Sequence, residues 1–87
     1  MVPVLINSSG GGSSWVRPKG LKTIRVQGMQ LGDVLEFRLY NPKGTHQVRR
    51  LTIHEDGDHG DFIDGIEKLR VNHYSTAQNP CVSVDLV

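Results

Sequence analysis

Apolar and polar residues alternate with a period of two in most of the chain. In Leu21–Gly28, Ile24 and Val26 fall on one face, and Thr23 and Arg25 on the other. In Val34–Tyr40, Leu35, Phe37 and Leu39 face one way, and Glu36 and Arg38 the other. The same rhythm places Leu51 and Ile53 together in Gln47–Glu55, Leu69 and Val71 in Ile66–Tyr74, and Val82, Val84 and Leu86 at the end of the chain. A period of two is the signature of strands with one buried face. Val2–Ile6 is a short β-branched run. No window keeps a helical period; the one helix-like stretch, Asp61–Leu69, is interrupted by Gly65.

Turn residues punctuate these windows. Pro18-Lys19-Gly20, Met29–Asp33 and Asn41–Gly44 carry the Pro, Gly, Asn and Asp that tight turns use. The spacing predicts an all-β fold, an antiparallel β-sandwich or small barrel of about seven short strands. Asn7–Ser14 has the composition of a flexible linker. The expected organisation is therefore an extended N-terminal arm and linker over residues 1–14 and a β-sandwich domain over 15–87. There is no internal repeat.

Length and charge narrow the picture. At 87 residues there is room for one core. The apolar share of 37% excludes a disordered chain, and no window is apolar for long enough to be a membrane helix. A net charge of +1 carries no footprint for nucleic acid or anionic lipid, so neither is expected as a partner. The single cysteine, Cys81, excludes an intramolecular disulfide framework. The opening MVPVLIN lacks the basic flank and apolar length of a secretory signal, which points to a protein made and kept in the cytoplasm, or assembled there into something larger.

The densest polar stretch is His54–Phe62, HEDGDHGDF. Asp56, Asp58 and Gly60 can be laid on positions one, three and five of a calcium loop. Position five then lacks an oxygen ligand and position six, Asp61, is not glycine. Asp56, Asp58 and Asp61 remain a weak metal candidate; a polar, outward-facing turn is the expected reading. Zinc would need about four converging ligands, and His46, His54, His59, His73 and Cys81 are scattered. Cys81, His73 and Asp85 can be named as nucleophile, base and orienter, yet nothing near Cys81 stabilises a thiolate. The chain is too short for the cleft that paired glycosidase carboxylates need. The Gly/Ser tract lacks the Gly-Lys-Ser/Thr ending of a phosphate loop. The expectation is a non-enzymatic protein without cofactor.

Trp15 follows the flexible tract and either closes the core or anchors an interface. Tyr40, Lys43 and Val48–Arg50 would suit a small nucleic-acid-binding barrel, against a low aromatic content of 6%.

The order of these features carries more than any one of them. A Gly/Ser tract leads to Trp15, then KTIRVQG (Lys22–Gly28), VLEF (Val34–Phe37), the Asp56-Gly57 turn, LRVN (Leu69–Asn72) and a closing PCVSVDLV. This resembles small β-sandwich virion proteins of tailed bacteriophages. The resemblance implies a capsid-decorating cement protein of the virion, assembled in the host cytoplasm. Such a protein clamps neighbouring capsid subunits and forms homo-oligomers, with the major capsid protein or another virion protein as its partner. Expected contacts are the arm (Val2, Val4, Ile6) adding to a neighbour's sheet edge, apolar Trp15, Met29 and Leu31, and basic Lys43, Arg49 and Arg50. Two alternatives stay open: a tail-fibre or adhesin module binding host glycans through Trp15, Tyr40 and Tyr74, and the small nucleic-acid-binding barrel.

Overall fold

The computed structural model describes residues 1–6, 12–42, 47–60, 63–74 and 82–87. The described residues form seven strands and no helix. They are β1 (Val2–Pro3), β2 (Ile24–Gln27), β3 (Val34–Asn41), β4 (Gln47–Ile53), β5 (Gly57–His59), β6 (Lys68–Tyr74) and β7 (Ser83–Leu86). They form a four-stranded sheet in the order β1-β7-β2-β5 and a three-stranded sheet in the order β4-β3-β6. All pairings are antiparallel. The all-β, seven-strand sandwich expected from the alternation is the fold observed.

The alternating apolar residues line the space between the sheets. Ile24, Val26, Val84 and Leu86 come from the four-stranded sheet, and Leu35, Phe37, Leu39, Ile53, Leu69 and Val71 from the other; each is buried. Phe37 sits mid-strand opposite Leu51 and Val71, so the largest core side chain is flanked by apolar neighbours on both sides. Ile63 and Ile66 close the core from the turn that precedes β6.

The turns follow their chemistry. Leu21 N–H donates to Pro18 C=O at 3.0 Å, with Lys19 at φ 52° and Gly20 at φ 83°. Positive φ at both central residues is the type I′ pattern, here reversing the chain between the edge of β6 and β2 rather than within a hairpin. In Gln30–Asp33, Asp33 N–H donates to Gln30 C=O while Asp33 Oδ2 accepts from Gln30 N–H, both at 2.9 Å. Gly65, which interrupts the one helix-like window, takes φ 80° in the turn from Ile63 to Ile66.

Two segments differ from the sequence expectation. The N-terminal strand does not extend as an arm. Val2 pairs with Leu86 and Pro3 with Asp85 in the same chain, Val4 N–H donates to Val84 C=O at 2.9 Å, and Val4 is buried in the core. The reason is hydrophobic: β7 would otherwise leave an unpaired edge, and Val4 finds an apolar site beside it. The second segment is the polar stretch that begins at His54, whose described part, residues 54–60, is more than a turn. Gly57–His59 forms β5 and pairs with Ile24–Val26 at the edge of the four-stranded sheet. A three-residue edge strand exposed on its outer side needs no apolar alternation, so the pattern does not announce it.

Candidate docking face on the three-stranded sheet

Because β3 and β6 send Leu35, Phe37, Leu39, Leu69 and Val71 inward, their even-numbered residues all point outward. Register then decides which outward residues meet. Arg38 is directly opposite Arg50 on β4 and Arg70 on β6. Three arginines therefore stand in one row across the sheet. The next row is Val48, Tyr40 and Lys68. Like charges directly opposite one another in a sheet are destabilising, so this row is a local conflict in the fold. Glu36 is the one carboxylate on this face among the described residues, and its Oε1 lies 3.5 Å from Arg38 Nε.

Aromatic rings fill the corner beside the row. Residues 12–16 run along the outer edge of β6: Ser13 N–H donates to Val71 C=O while its Oγ accepts from Val71 N–H, and Val16 exchanges backbone hydrogen bonds with Leu69. This holds Trp15 against Tyr40, ring centroids 6.3 Å apart at 70°, an edge-to-face contact. Lys68 Nζ lies 4.8 Å from both ring centroids, and Arg70 Cζ lies 5.3 Å from that of Trp15. Both cations are within cation–π range. Trp15 nevertheless keeps 40% of its surface exposed and Tyr74, at the far end of the same face, 54%. Arg70 Nε is buried and has no hydrogen-bond partner among the described residues, so the stacked guanidinium is not saturated.

Of the expected contact residues, Trp15 and Arg50 belong to this face. Arg49 is exposed on β4, opposite Leu39 and on the other side of the strand from Arg50. Leu31 is fully exposed at a turn tip, 104% of its reference surface, while Met29 is half-buried against the core. Val2 and Ile6 are half-buried and Val4 buried, so Val4 has no surface to offer a neighbour. Lys43 lies outside the described residues. Arg38, Lys68 and Arg70 are new to the set. Alternation put them on a polar face, but only the cross-strand register aligns them.

The acidic stretch is occupied by internal partners. Asp58 receives both Arg25 Nε at 2.8 Å and Nη2 at 3.1 Å, which holds its carboxyl below the ordinary aspartate range and raises the guanidinium. Asp56 accepts two backbone N–H bonds from Gly28 and Met29. Asp61 lies outside the described residues, and among those described no group of three His, Cys, Asp or Glu is placed to hold a metal ion. The two described members of the Cys81, His73 and Asp85 set lie on different sheets. His73 is buried 3.7 Å from Asp33, Asp85 lies on the other sheet beside Arg25, and Cys81 is outside the described residues.

The chain matches no family model, no curated protein and no solved structure.

Proposed function

We propose that the chain is a non-enzymatic docking module that presents the outer face of its three-stranded sheet to an anionic partner. The observation that carries this reading is the register that sets Arg38 between Arg50 and Arg70. A row of like charges is unfavourable in the free protein and becomes favourable when an anion bridges it. Trp15 and Tyr40 add apolar area beside the charge, and Trp, Tyr and Arg are the residues that most often dominate binding energy. The cement reading is a special case: the anionic surface would belong to neighbouring shell subunits, with the fully exposed Leu31 as a further contact. What supports that case is the β-sandwich itself and the exposed apolar turn tip.

Phosphocellulose is a direct test. A chain of net charge +1 with scattered charges should elute early. Retention that falls in Arg50→Ala and falls further in Arg38→Ala/Arg50→Ala, with Lys22→Ala unchanged, is the expected result. Equal retention of all four proteins would refute the face.

A further inference from the structure

We infer that the anionic partner of this face is single-stranded nucleic acid, its phosphates on the arginine row and a base against Trp15. The inference rests on the docking reading above and names its ligand class. Three features of the face favour it.

The first is charge spacing. Arg50, Arg38 and Arg70 repeat at the interstrand distance, about 4.8 Å, and Lys68 stands one row away, about 6.8 Å along the strand. A ligand that satisfies this grid must carry closely spaced negative charges along its length, with no cations among them. A phosphodiester backbone carries them at every residue. The second is the aromatic content. The chain has one tryptophan and two tyrosines, and all three lie on this face. Aromatic rings beside a basic track are the platform on which unpaired bases stack, and a base in a duplex cannot use them. The third is size. Three strands of about seven residues make a face of roughly 15 by 24 Å, on the order of 350 Å2. A strip of this width and length matches an extended single strand of a few nucleotides.

The overall charge of +1 does not oppose this. Asp58 is neutralised by Arg25 on the other sheet, and Glu67 by Arg17 at 3.0 Å. Among the described residues of β3, β4 and β6, Glu36 is the one carboxylate on the face, and it is outnumbered there by Arg38, Arg50, Arg70 and Lys68.

The experiment is a titration of the full chain with fluorescein-labelled oligothymidylate of about 12 nucleotides. Anisotropy reports affinity, and the fluorescence of Trp15, the sole tryptophan, reports contact. Binding should quench Trp15. Log affinity should fall with log salt with a slope of about −2 to −3, for three or four phosphate contacts, and Arg50→Ala should reduce that slope by about 0.7. Trp15→Ala should weaken binding roughly 5- to 150-fold, the value of one stacked base, and Trp15→Phe should restore most of it. Circular-dichroism melts check that the variants fold; Arg50 is exposed on an edge strand, so its variant keeps the test open if Trp15→Ala unfolds. Polyglutamate and heparin are titrated in parallel. Polyglutamate displacing the oligonucleotide at equal charge concentration would overturn the nucleic-acid assignment in favour of an acidic protein and leave the docking face standing. Binding of heparin without the oligonucleotide would overturn it in favour of an anionic glycan. Binding of none of the three would overturn the ligand class and the docking face together.

Discussion

Asp56 holds Met29 in place: its Oδ1 accepts the Met29 backbone N–H at 2.8 Å while Oδ2 accepts that of Gly28 at 3.0 Å. One carboxylate thus serves two donors where the chain leaves β2, at a glycine with φ 92°. The polar stretch is tied to the sheet by this contact and by β5 (Gly57–His59). Asp56→Ala should destabilise the domain by about 1 kcal/mol, as loss of a helix cap does for the same kind of bond. For a domain of this size that is a fall in Tm of about 4–8 °C. Asp56→Asn, which keeps one acceptor, should fall between. A thermal melt at neutral pH checks both, and an unchanged Tm in Asp56→Ala would show the clasp to be idle.

The turn at Pro18–Leu21 offers a gain. Lys19 adopts φ 52° because the type I′ geometry demands it, and a side chain other than Asn, Asp or Gly is strained there. Lys19→Asn recreates the Asn-Gly pair that this turn prefers. The expected stabilisation is about 0.5–1 kcal/mol, read as a Tm several degrees higher. Lys19→Val should do the opposite, since a β-branched residue is the least suited to positive φ.

Arg25 and Asp58 face each other across β2 and β5 in a two-bond ion pair. The Asp58 carboxyl titrates below its ordinary value in the folded chain, chiefly because it accepts the Arg25 hydrogen bond. A group whose pKa is depressed by folding stabilises the fold above its unfolded pKa and loses that contribution as pH falls through the folded one. The contribution is therefore whole at neutral pH and fades only below the ordinary aspartate value of 3.8. Asp58→Asn should lower Tm slightly at pH 7, and the gap to the parent should narrow progressively as the buffer is taken below the ordinary aspartate value. Both groups are solvent-exposed, so salt should narrow the gap as well. A gap that persists unchanged into strong acid would mean that the pair does not act through charge.

How much of this was written in the sequence depends on the residue. Phe37, Leu39, Val71 and Leu86 announce the core because alternation survives burial: a strand with one wet face cannot hide its period. Leu21–Gly28 and Ile66–Tyr74 contain β2 and β6, and Val34–Tyr40 matches β3 but for its last residue. β5 was silent because an edge strand of three polar residues carries no period, and Val2–Ile6, expected as an arm for a neighbour's edge, pairs with β7 of its own chain because an apolar run fits any free edge equally well. The docking face shows the same division. Alternation exposed Arg38, Arg50 and Arg70 one by one. Their alignment depends on register, which is fixed by turns and packing distant in sequence from all three. The net charge of +1 is a sum, and it carries no information about which face each charge occupies.

Gly12 decides whether Trp15 reaches the face. A Cβ at this position would run into the Asn72 amide oxygen and lie 3.1 Å from the Val71 carbonyl oxygen. The backbone here must approach β6 closely for Ser13 to pair with Val71. Gly12→Ala should push residues 12–16 off the edge, at a cost of about 1–3 kcal/mol, the usual range for overpacking. Trp15 emission should shift to the red as its contact with Tyr40 loosens. Adding Asn72→Ala removes the side-chain part of the clash and should recover part of the loss. If the double variant is no better than Gly12→Ala, the backbone contact alone sets the constraint.

The last prediction concerns the N-terminal strand. Pro3 is opposite Asp85, and both point to the outer side of the sheet because Val2 and Leu86 point inward. Directly opposed antiparallel residues have Cα atoms about 4.5–5.5 Å apart, inside the range that a disulfide spans. In a Cys81→Ser background, Pro3→Cys with Asp85→Cys should therefore oxidise within one chain. A non-reducing gel should show a single species of unchanged mass that migrates faster than the reduced form. Closing a loop of nearly the whole chain should also stabilise it, by up to about 4 kcal/mol if the bond is unstrained. A disulfide-linked dimer that grows with protein concentration would mean instead that β1 is exchanged between copies. The same Pro3–Asp85 pairing would then be made across two chains, and the strand would act as the arm that its sequence suggests. The two outcomes separate cleanly because the contact is the same and only its ownership differs: a strand held by Val4 in its own core has no reason to leave, whereas one shared between copies must expose that site whenever the partner dissociates.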